Sequence, residues 1–137
     1  MRSSAFLQHL QQQIDDVKAE GLYISAFNKD LRLSRLKRLN FKIIGSAHSI
    51  KEIEIKKKQG CSEVIYSRLF KTNYKSKPDY LGVIRFNLLK LSRKEKLIPL
   101  GGIRYENLNK LNLIRSDSFV LMSEIKKKPA KIFSRLF

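Results

Sequence analysis

Apolar residues recur at Phe6, Leu7, Leu10, Ile14 and Val17, a spacing of three and four that gathers them on one face of an opening helix within residues 1–20, which Gly21 ends. Leu22 to Ala26 then reads as a short strand. Asp30 is placed to cap a second helix carrying Leu33, Leu36 and Leu39, and residues 41–45 follow as an apolar run of strand type. Ser49 and Glu52 form an S-x-x-E capping box around Ile50 and ahead of Ile53, with a basic stretch to Lys58 and Gly60 placed to close the helix. The pattern then repeats: strand 63–67, helix Gly82–Leu91, strand 97–100, helix Tyr105–Leu113 and a last strand at 118–122.

Strands separated by helices, through connections too long for hairpins, predict parallel pairing by right-handed crossovers. The fold class is therefore α/β, with five parallel strands in consecutive order and little alternation along each, as in sheets covered on both faces. A single domain over residues 1–137 is expected, well short of the roughly 250 residues of a closed eight-stranded barrel. Any barrel built from this chain is partial. The segment from Phe70 to Leu81 breaks the rhythm, carrying Thr72, Asn73, Tyr74, Lys75, Ser76, Lys77 and Pro78 after the C-terminal end of a strand. α/β folds place ligand-binding loops there.

Composition adds limits rather than a function. Lys and Arg number 29 against 12 Asp and Glu, a net charge of +17. The basic residues are spread from Lys18 to Arg135 and no nucleic-acid-binding motif accompanies them, so nucleic acid is not the expected partner. Lys126, Lys127 and Lys128 read as a solvated helix face. Cys61 is the only cysteine, which excludes an internal disulfide and a four-ligand zinc site of the usual kind and suits a reducing compartment. Gln11, Gln12, Gln13, Asp15 and Asp16 interrupt any apolar leader, and no apolar run reaches membrane-spanning length. A cytoplasmic protein is expected.

The residues with chemical potential cluster after strands. Gly101-Gly102 lies between a strand and a helix, where backbone N–H groups can approach a phosphate without side-chain obstruction and a helix N-terminus adds favourable charge. The next unit ends in Ser123-Glu124-Ile125, so the last two strands reproduce the loop pair that forms a barrel's phosphate site. Ser46 and His48, two apart beyond an apolar run, are placed to face one side. His48 is either a proton donor and acceptor near neutral pH or a residue that packs against the following helix. Lys75 in the polar loop can meet a phosphate or diphosphate as a point charge. No Ser-His-Asp or Cys-His arrangement, metal-ligand cluster or Walker-type loop is present, and residue chemistry alone ends at an α/β domain for a phosphorylated ligand.

Taken in order, these motifs resemble those of the thiamine-phosphate synthase and thiazole tautomerase superfamily, from its fourth strand to its eighth. Gly21-Leu22-Tyr23-Ile24-Ser25 is similar to the family's G-V-H-L-G strand, and Ile43-Ile44-Gly45-Ser46-Ala47-His48-Ser49 to I-G-x-S-x-H-[ST]. Residues 60–75 follow G-A-D-Y-[IV]-x-x-G-P-[IV]-F-P-T-x-T-K. Pro99-Leu100-Gly101-Gly102-Ile103 with Glu106-Asn107 is similar to A-I-G-G-I and the E-N after it, and Val120 to Ile125 to V-A-V-V-S-A-I. The resemblance covers about residues 15–128.

It implies a partial (β/α) barrel and coupling of a pyrimidine methyl diphosphate to a thiazole phosphate, with Mg²⁺ on the diphosphate. Gly101, Gly102, Ser123, Ile125 and Thr72 would hold the thiazole phosphate, Lys75 the diphosphate and Ser46 the pyrimidine region. His48 occupies the acid/base position of the tautomerase branch, and Asp30 stands for a magnesium-binding aspartate. The chain also departs from the pattern. It lacks the family's first three strands, with the Q-x-R-x-K and N-D motifs they carry, and Arg68, Lys71 and Tyr74 replace two prolines and a threonine. Reduced catalysis and self-association through open sheet edges are the expected outcome. The alternatives are a synthase or tautomerase completed by a homodimer or by a separately encoded front half, and a non-catalytic remnant that binds a phosphorylated ligand.

Overall fold

The computed structural model describes residues 2–39, 42–73 and 79–120. The chain divides into two compact units, Met1–Val64 and Ile65–Phe137. Four strands, β1 (Gly21–Ile24), β2 (Lys42–Ala47), β3 (Glu63–Ser67) and β4 (Lys96–Leu100), form one parallel sheet in chain order. Between them run the helices α1 (Arg2–Val17), α2 (Ile50–Lys58) and α3 (Val83–Leu91) and the 3₁₀ segments η1 (Leu31–Leu39) and η2 (Tyr105–Leu113). This is the α/β architecture that the alternation predicts.

Four details differ from expectation. Helix α1 ends at Val17, with Lys18 rather than Gly21 in the left-handed conformation at φ +51°, and Gly21 already opens β1. The strand expected at 118–122 is, among the described residues, a single parallel bridge: Val120 pairs with Leu100 and its N–H donates to the Pro99 carbonyl at 3.0 Å, while residues 121 and 122 lie outside the described residues. The second and fifth expected α-helices are 3₁₀ segments. Their inward residues fall at a strict period of three, Leu33, Leu36 and Leu39 in η1 and Tyr105, Leu108 and Leu111 in η2. A helix of three residues per turn stacks such positions in one row, whereas 3.6 residues per turn would rotate them off the core. Lastly, β2 and β3 alternate between buried and half-buried positions. One face of each is well covered and the other is not.

In the first unit β1 and β2 pair in parallel with Tyr23 opposite Ile44 and Ile24 opposite Gly45. Ile43, Gly45 and Ala47 turn to the face that α2 covers, and Ile44 and Ser46 to the other. Ser49 caps α2, its side chain accepting from the Glu52 N–H at 3.2 Å. The reciprocal bond of the box is displaced by one residue: Glu52 Oε2 accepts from the N–H of His48 at 2.6 Å. At the other end the Gly60 N–H donates to the Lys57 carbonyl at 3.0 Å and the Cys61 N–H to the Lys56 carbonyl at 3.1 Å, with Gly60 at φ +89°. This is the Schellman ending that the glycine's placement predicts.

Among the described residues Lys56 is one of the large side chains that are fully buried. It fits because Gly45 has no side chain: a Cβ there would stand 2.7 Å from Lys56 Cδ and 2.8 Å from Cys61 Sγ. Its ammonium donates to the Asn28 carbonyl at 2.6 Å and to Gln59 Oε1 at 2.8 Å. The Gln59 amide in turn donates to the carbonyls of Asn28 at 3.0 Å and Asp30 at 3.1 Å. Burial holds the Lys56 ammonium below its ordinary pKa, opposed by the charges of Cys61 and Glu52. The loop after β1 is thereby fixed to α2 from inside the unit.

Two measurements follow. Lys56→Met keeps the aliphatic stem beside Gly45 but removes the donor to Gln59 Oε1, and an orphaned buried acceptor costs about 1–3 kcal/mol. Denaturant unfolding should show that loss; unchanged stability would mean the ammonium is no anchor. Burial also pushes the Cys61 thiol from 9.0 up to about 11. The folded state then holds its proton more tightly, a stabilisation present below pH 9 and lost as the pH rises through 11. At pH 8 the thiolate fraction should fall roughly a hundredfold on folding, and alkylation by iodoacetamide should be slower in the native protein than in denaturant by at least that factor.

Candidate functional site

In the second unit the chain leaves β4 through Gly101 and Gly102, both left-handed at φ +98° and +69°. They are met by the loop that leaves β3. The Leu69 N–H donates to the Leu100 carbonyl at 2.9 Å and the Phe70 N–H to the Gly101 carbonyl at 3.0 Å. This contact leaves no room for side chains on the turn: a Cβ on Gly102 would collide with the Phe70 carbonyl, and one on Gly101 would lie 2.9 Å from Arg68 Cγ and 3.1 Å from Ser67 Oγ. The Ser67–Arg68 peptide bond is cis. Further on, the Leu81 and Gly82 N–H groups donate back to the Arg68 and Leu69 carbonyls at 2.9 and 2.8 Å. The loop's two ends are thus fixed to each other and to the glycine turn.

Asn107 closes the turn from the other direction. Its amide donates to the Gly102 carbonyl at 2.8 Å, and its Oδ1 accepts from the Arg104 N–H at 2.8 Å. Two guanidinium groups reach the loop: Arg68 Nη1 donates to Thr72 Oγ1 at 3.2 Å and Arg104 Nη2 to Asn73 Oδ1 at 2.9 Å. Arg68, Thr72 and Arg104 are half-buried. The structure therefore brings together Gly101, Gly102 and Thr72 from the sequence-derived set. Lys75, Ser123 and Ile125 lie outside the described residues.

The first unit holds the remaining candidates. Ser46, on the face of β2 away from α2, accepts from the Tyr23 hydroxyl at 2.9 Å across the β1–β2 pair. His48 follows the end of β2, exposed, with its ring 6.4 Å from that of Phe27 and its N–H held by Glu52. Asp30 caps η1 as its position predicts, accepting from the Arg32 N–H at 3.0 Å. Its carboxylate is also forked by the Arg32 guanidinium, with bonds of 3.0 Å from Nε and 2.6 Å from Nη2. That pairing holds its pKa below the ordinary carboxylate value. Arg32 in turn lies 4.5 Å over the Phe6 ring of α1.

A magnesium ion asks for several oxygen ligands in near-octahedral order, usually one or two carboxylates with waters and substrate phosphates. Among the described residues no group of three or more His, Cys, Asp or Glu is arranged to hold a metal, and the Asp30 oxygens are engaged by a cation. The described residues do not fit a magnesium site. Sequence reasoning missed Tyr23, Arg104 and the tethering role of Asn107. Only Asn107 had a signal, in the E-N pair after the glycines.

Four likenesses bear on this geometry. The family model described as thiamine monophosphate synthase matches residues 8–125. A thiamine-phosphate synthase of Prochlorococcus marinus is 31% identical over 98 residues, covering 69% of this chain and 28% of the relative, and one of Methanococcus vannielii is 25% identical over 111 residues, covering 80% and 53%. The chain thus spans about half, or less, of these relatives' lengths. In three dimensions it is similar to a thiamine phosphate pyrophosphorylase from Pyrococcus furiosus, with a TM-score of 0.63 at 18% identity, over 90% of this chain and 64% of that one. At that identity the likeness is one of fold.

The glycine turn yields a stability prediction. At Gly102 an alanine would combine a left-handed φ with a collision against backbone, for about 2–5 kcal/mol. Gly82 has a similar φ of +77° but nothing within 4 Å of a Cβ, so Gly82→Ala should cost only about 1–2 kcal/mol. Denaturant titration of both variants should give that order; equal losses would show that close approach of the loop is not a constraint on Gly102.

Proposed function

This chain belongs to the thiamine monophosphate synthase family, and from that premise we propose that its second unit binds the phosphate of a phosphorylated thiazole at the turn Gly101-Gly102, facing the loop that carries Thr72. The observation that supports this reading is the close approach of the loop after β3 to two left-handed glycines, which keeps the turn free of side chains. Backbone N–H groups in such a turn, just ahead of a helical segment, suit an anion. Thr72 adds a hydroxyl whose oxygen already accepts from Arg68, so its proton is directed elsewhere.

In the reaction we propose, the thiazole nitrogen attacks the methylene carbon of the pyrimidine diphosphate, the C–O bond to the diphosphate breaks, and pyrophosphate leaves with the bonding electrons. The chain's contribution is to hold the thiazole phosphate so that the ring nitrogen is presented at a fixed distance from that phosphate. Lys75 is the residue we assign to the diphosphate, Ser123 and Ile125 complete the phosphate set, and Ser46, with Tyr23, is assigned to the pyrimidine. His48 is the acid/base candidate of a tautomerase reading. The magnesium that the family uses would be held chiefly by the diphosphate and by groups other than those described. The residue assigned to the diphosphate is Lys75, a point charge without the fork of an arginine, and catalysis by the chain alone is weak in this reading.

Isothermal titration with thiazole phosphate at low salt should show saturable one-to-one binding, and the unphosphorylated thiazole alcohol should bind at least tenfold more weakly. Equal affinity for the two, or no binding of either, would refute a phosphate site. A parallel assay of thiamine phosphate formation with both substrates and Mg²⁺ should give turnover far below the roughly 1–10³ per second ordinary for enzymes.

A further inference from the structure

Every group assigned to the thiazole phosphate so far is neutral: two glycines, a threonine, a serine and an isoleucine. A phosphate monoester carries close to two negative charges at pH 7. Neutral donors alone leave that charge uncompensated in a half-buried site. Arg68, in the position where the family pattern has proline, is a cation set against the turn. Its stem lies against Gly101, where a Cβ would stand 2.9 Å from Arg68 Cγ, and its Nη1 donates to Thr72 Oγ1 at 3.2 Å. The guanidinium therefore stands between the glycine turn and the threonine, the two features that define the site.

Resting on the phosphate-site reading above, we infer that Arg68 is a phosphate-binding residue of this chain and makes the site selective for the dianionic form of the ligand. Its backbone is fixed, since its carbonyl accepts from the Leu81 N–H at 2.9 Å and its neighbour Leu69 is tied to Leu100 at 2.9 Å. Its side chain is half-buried and lies against the turn, so little rotamer freedom is left to lose on binding. The guanidinium has five donors in a planar fork that matches two phosphate oxygens at once. Arg104, tied to Asn73 at 2.9 Å, places a second positive charge beside the same loop. A threonine that accepts from Arg68 while donating to the phosphate would couple the two contacts in one network.

The test is titration of thiazole phosphate into the wild type, Arg68→Met and Arg68→Lys, at pH 7.5 and pH 5.0. Methionine keeps an unbranched stem against Gly101 and removes the charge; lysine keeps the charge and removes the fork. The wild type should lose affinity at least fivefold between pH 7.5 and pH 5.0, as the ester passes from dianion to monoanion around pH 6. Arg68→Met should bind 10- to 100-fold more weakly at pH 7.5 and lose most of that pH dependence, with Arg68→Lys in between. Equal binding by wild type and Arg68→Met, or tighter binding by Arg68→Met, would overturn the inference while leaving the phosphate site standing. A wild type that binds no thiazole phosphate would instead overturn the underlying reading. A merely structural role for Arg68 predicts a lower thermal midpoint with the pH dependence of binding intact, and that result too would overturn it.

Discussion

The second unit is organised by one steric constraint, the passage of the Phe70 carbonyl over a position that has no Cβ. Because Gly102 is bare, the loop after β3 can run directly against the turn after β4, and the hydrogen bonds of Leu69 and Phe70 form at 2.9 and 3.0 Å. That contact brings Arg68 to Gly101 and carries Thr72 and Asn73 into reach of Arg68 and Arg104. Asn107 then fixes the turn from behind by bonding to both Gly102 and Arg104. A side chain at Gly102 would push the loop away. The polar groups around the turn would be separated by the same displacement, so packing here, and the recognition we propose, depend on one absent methyl group.

The first unit solves a comparable problem in a different way. A lysine with no exposure is costly to desolvate, and its burial depends on a second bare position, Gly45, and on carbonyl and amide acceptors at the end of its stem. A buried leucine would fill that space without a desolvation penalty. It would not reach the Asn28 carbonyl or orient Gln59, whose amide holds the carbonyls of Asn28 and Asp30. Those acceptors offset the desolvation of the ammonium, and what the lysine adds over an apolar side chain is a defined path of the loop after β1. Asp30 gets its position from that path, and its charge partner is Arg32.

How far the sequence could be read depended on which physical signal each element carries. Three capping signals were legible at single-residue precision: Ser49 and Asp30 accept the backbone N–H groups their positions predict, and Gly60 takes the left-handed conformation that ends α2, whereas the left-handed residue that ends α1 is Lys18 and not Gly21. Strand positions were legible to within one or two residues at their ends. The distinction between α and 3₁₀ was missed although the chain displays it, because a row such as Leu33, Leu36, Leu39 satisfies the three-residue spacing of both helix types and only the absence of inward residues at four-residue steps separates them. The glycine turn was recognisable as a candidate site from its place between strand and helix. The two arginines were not, because a single arginine among 29 basic residues carries no local signal until the fold sets it against a particular backbone.

That last point bears on how a protein of net charge +17 can discriminate among anions. The summed charge draws every anion toward the surface and raises encounter rates, an effect that ordinary salt screens beyond about 8–10 Å. It does not distinguish a phosphate from a chloride or a carboxylate. Discrimination needs donors fixed in number and direction, and those arise only where backbone and side chain are immobilised together. The turn at Gly101-Gly102 meets that requirement, since each of its flanks is tied by hydrogen bonds to a neighbour. Among the described residues, most of the other lysines and arginines extend from the exposed sides of helices and loops, where screening is strong. In the binding we propose, diffuse charge and fixed geometry therefore act at different stages, the first on arrival and the second on retention. Raising the ionic strength should weaken the first far more than the second.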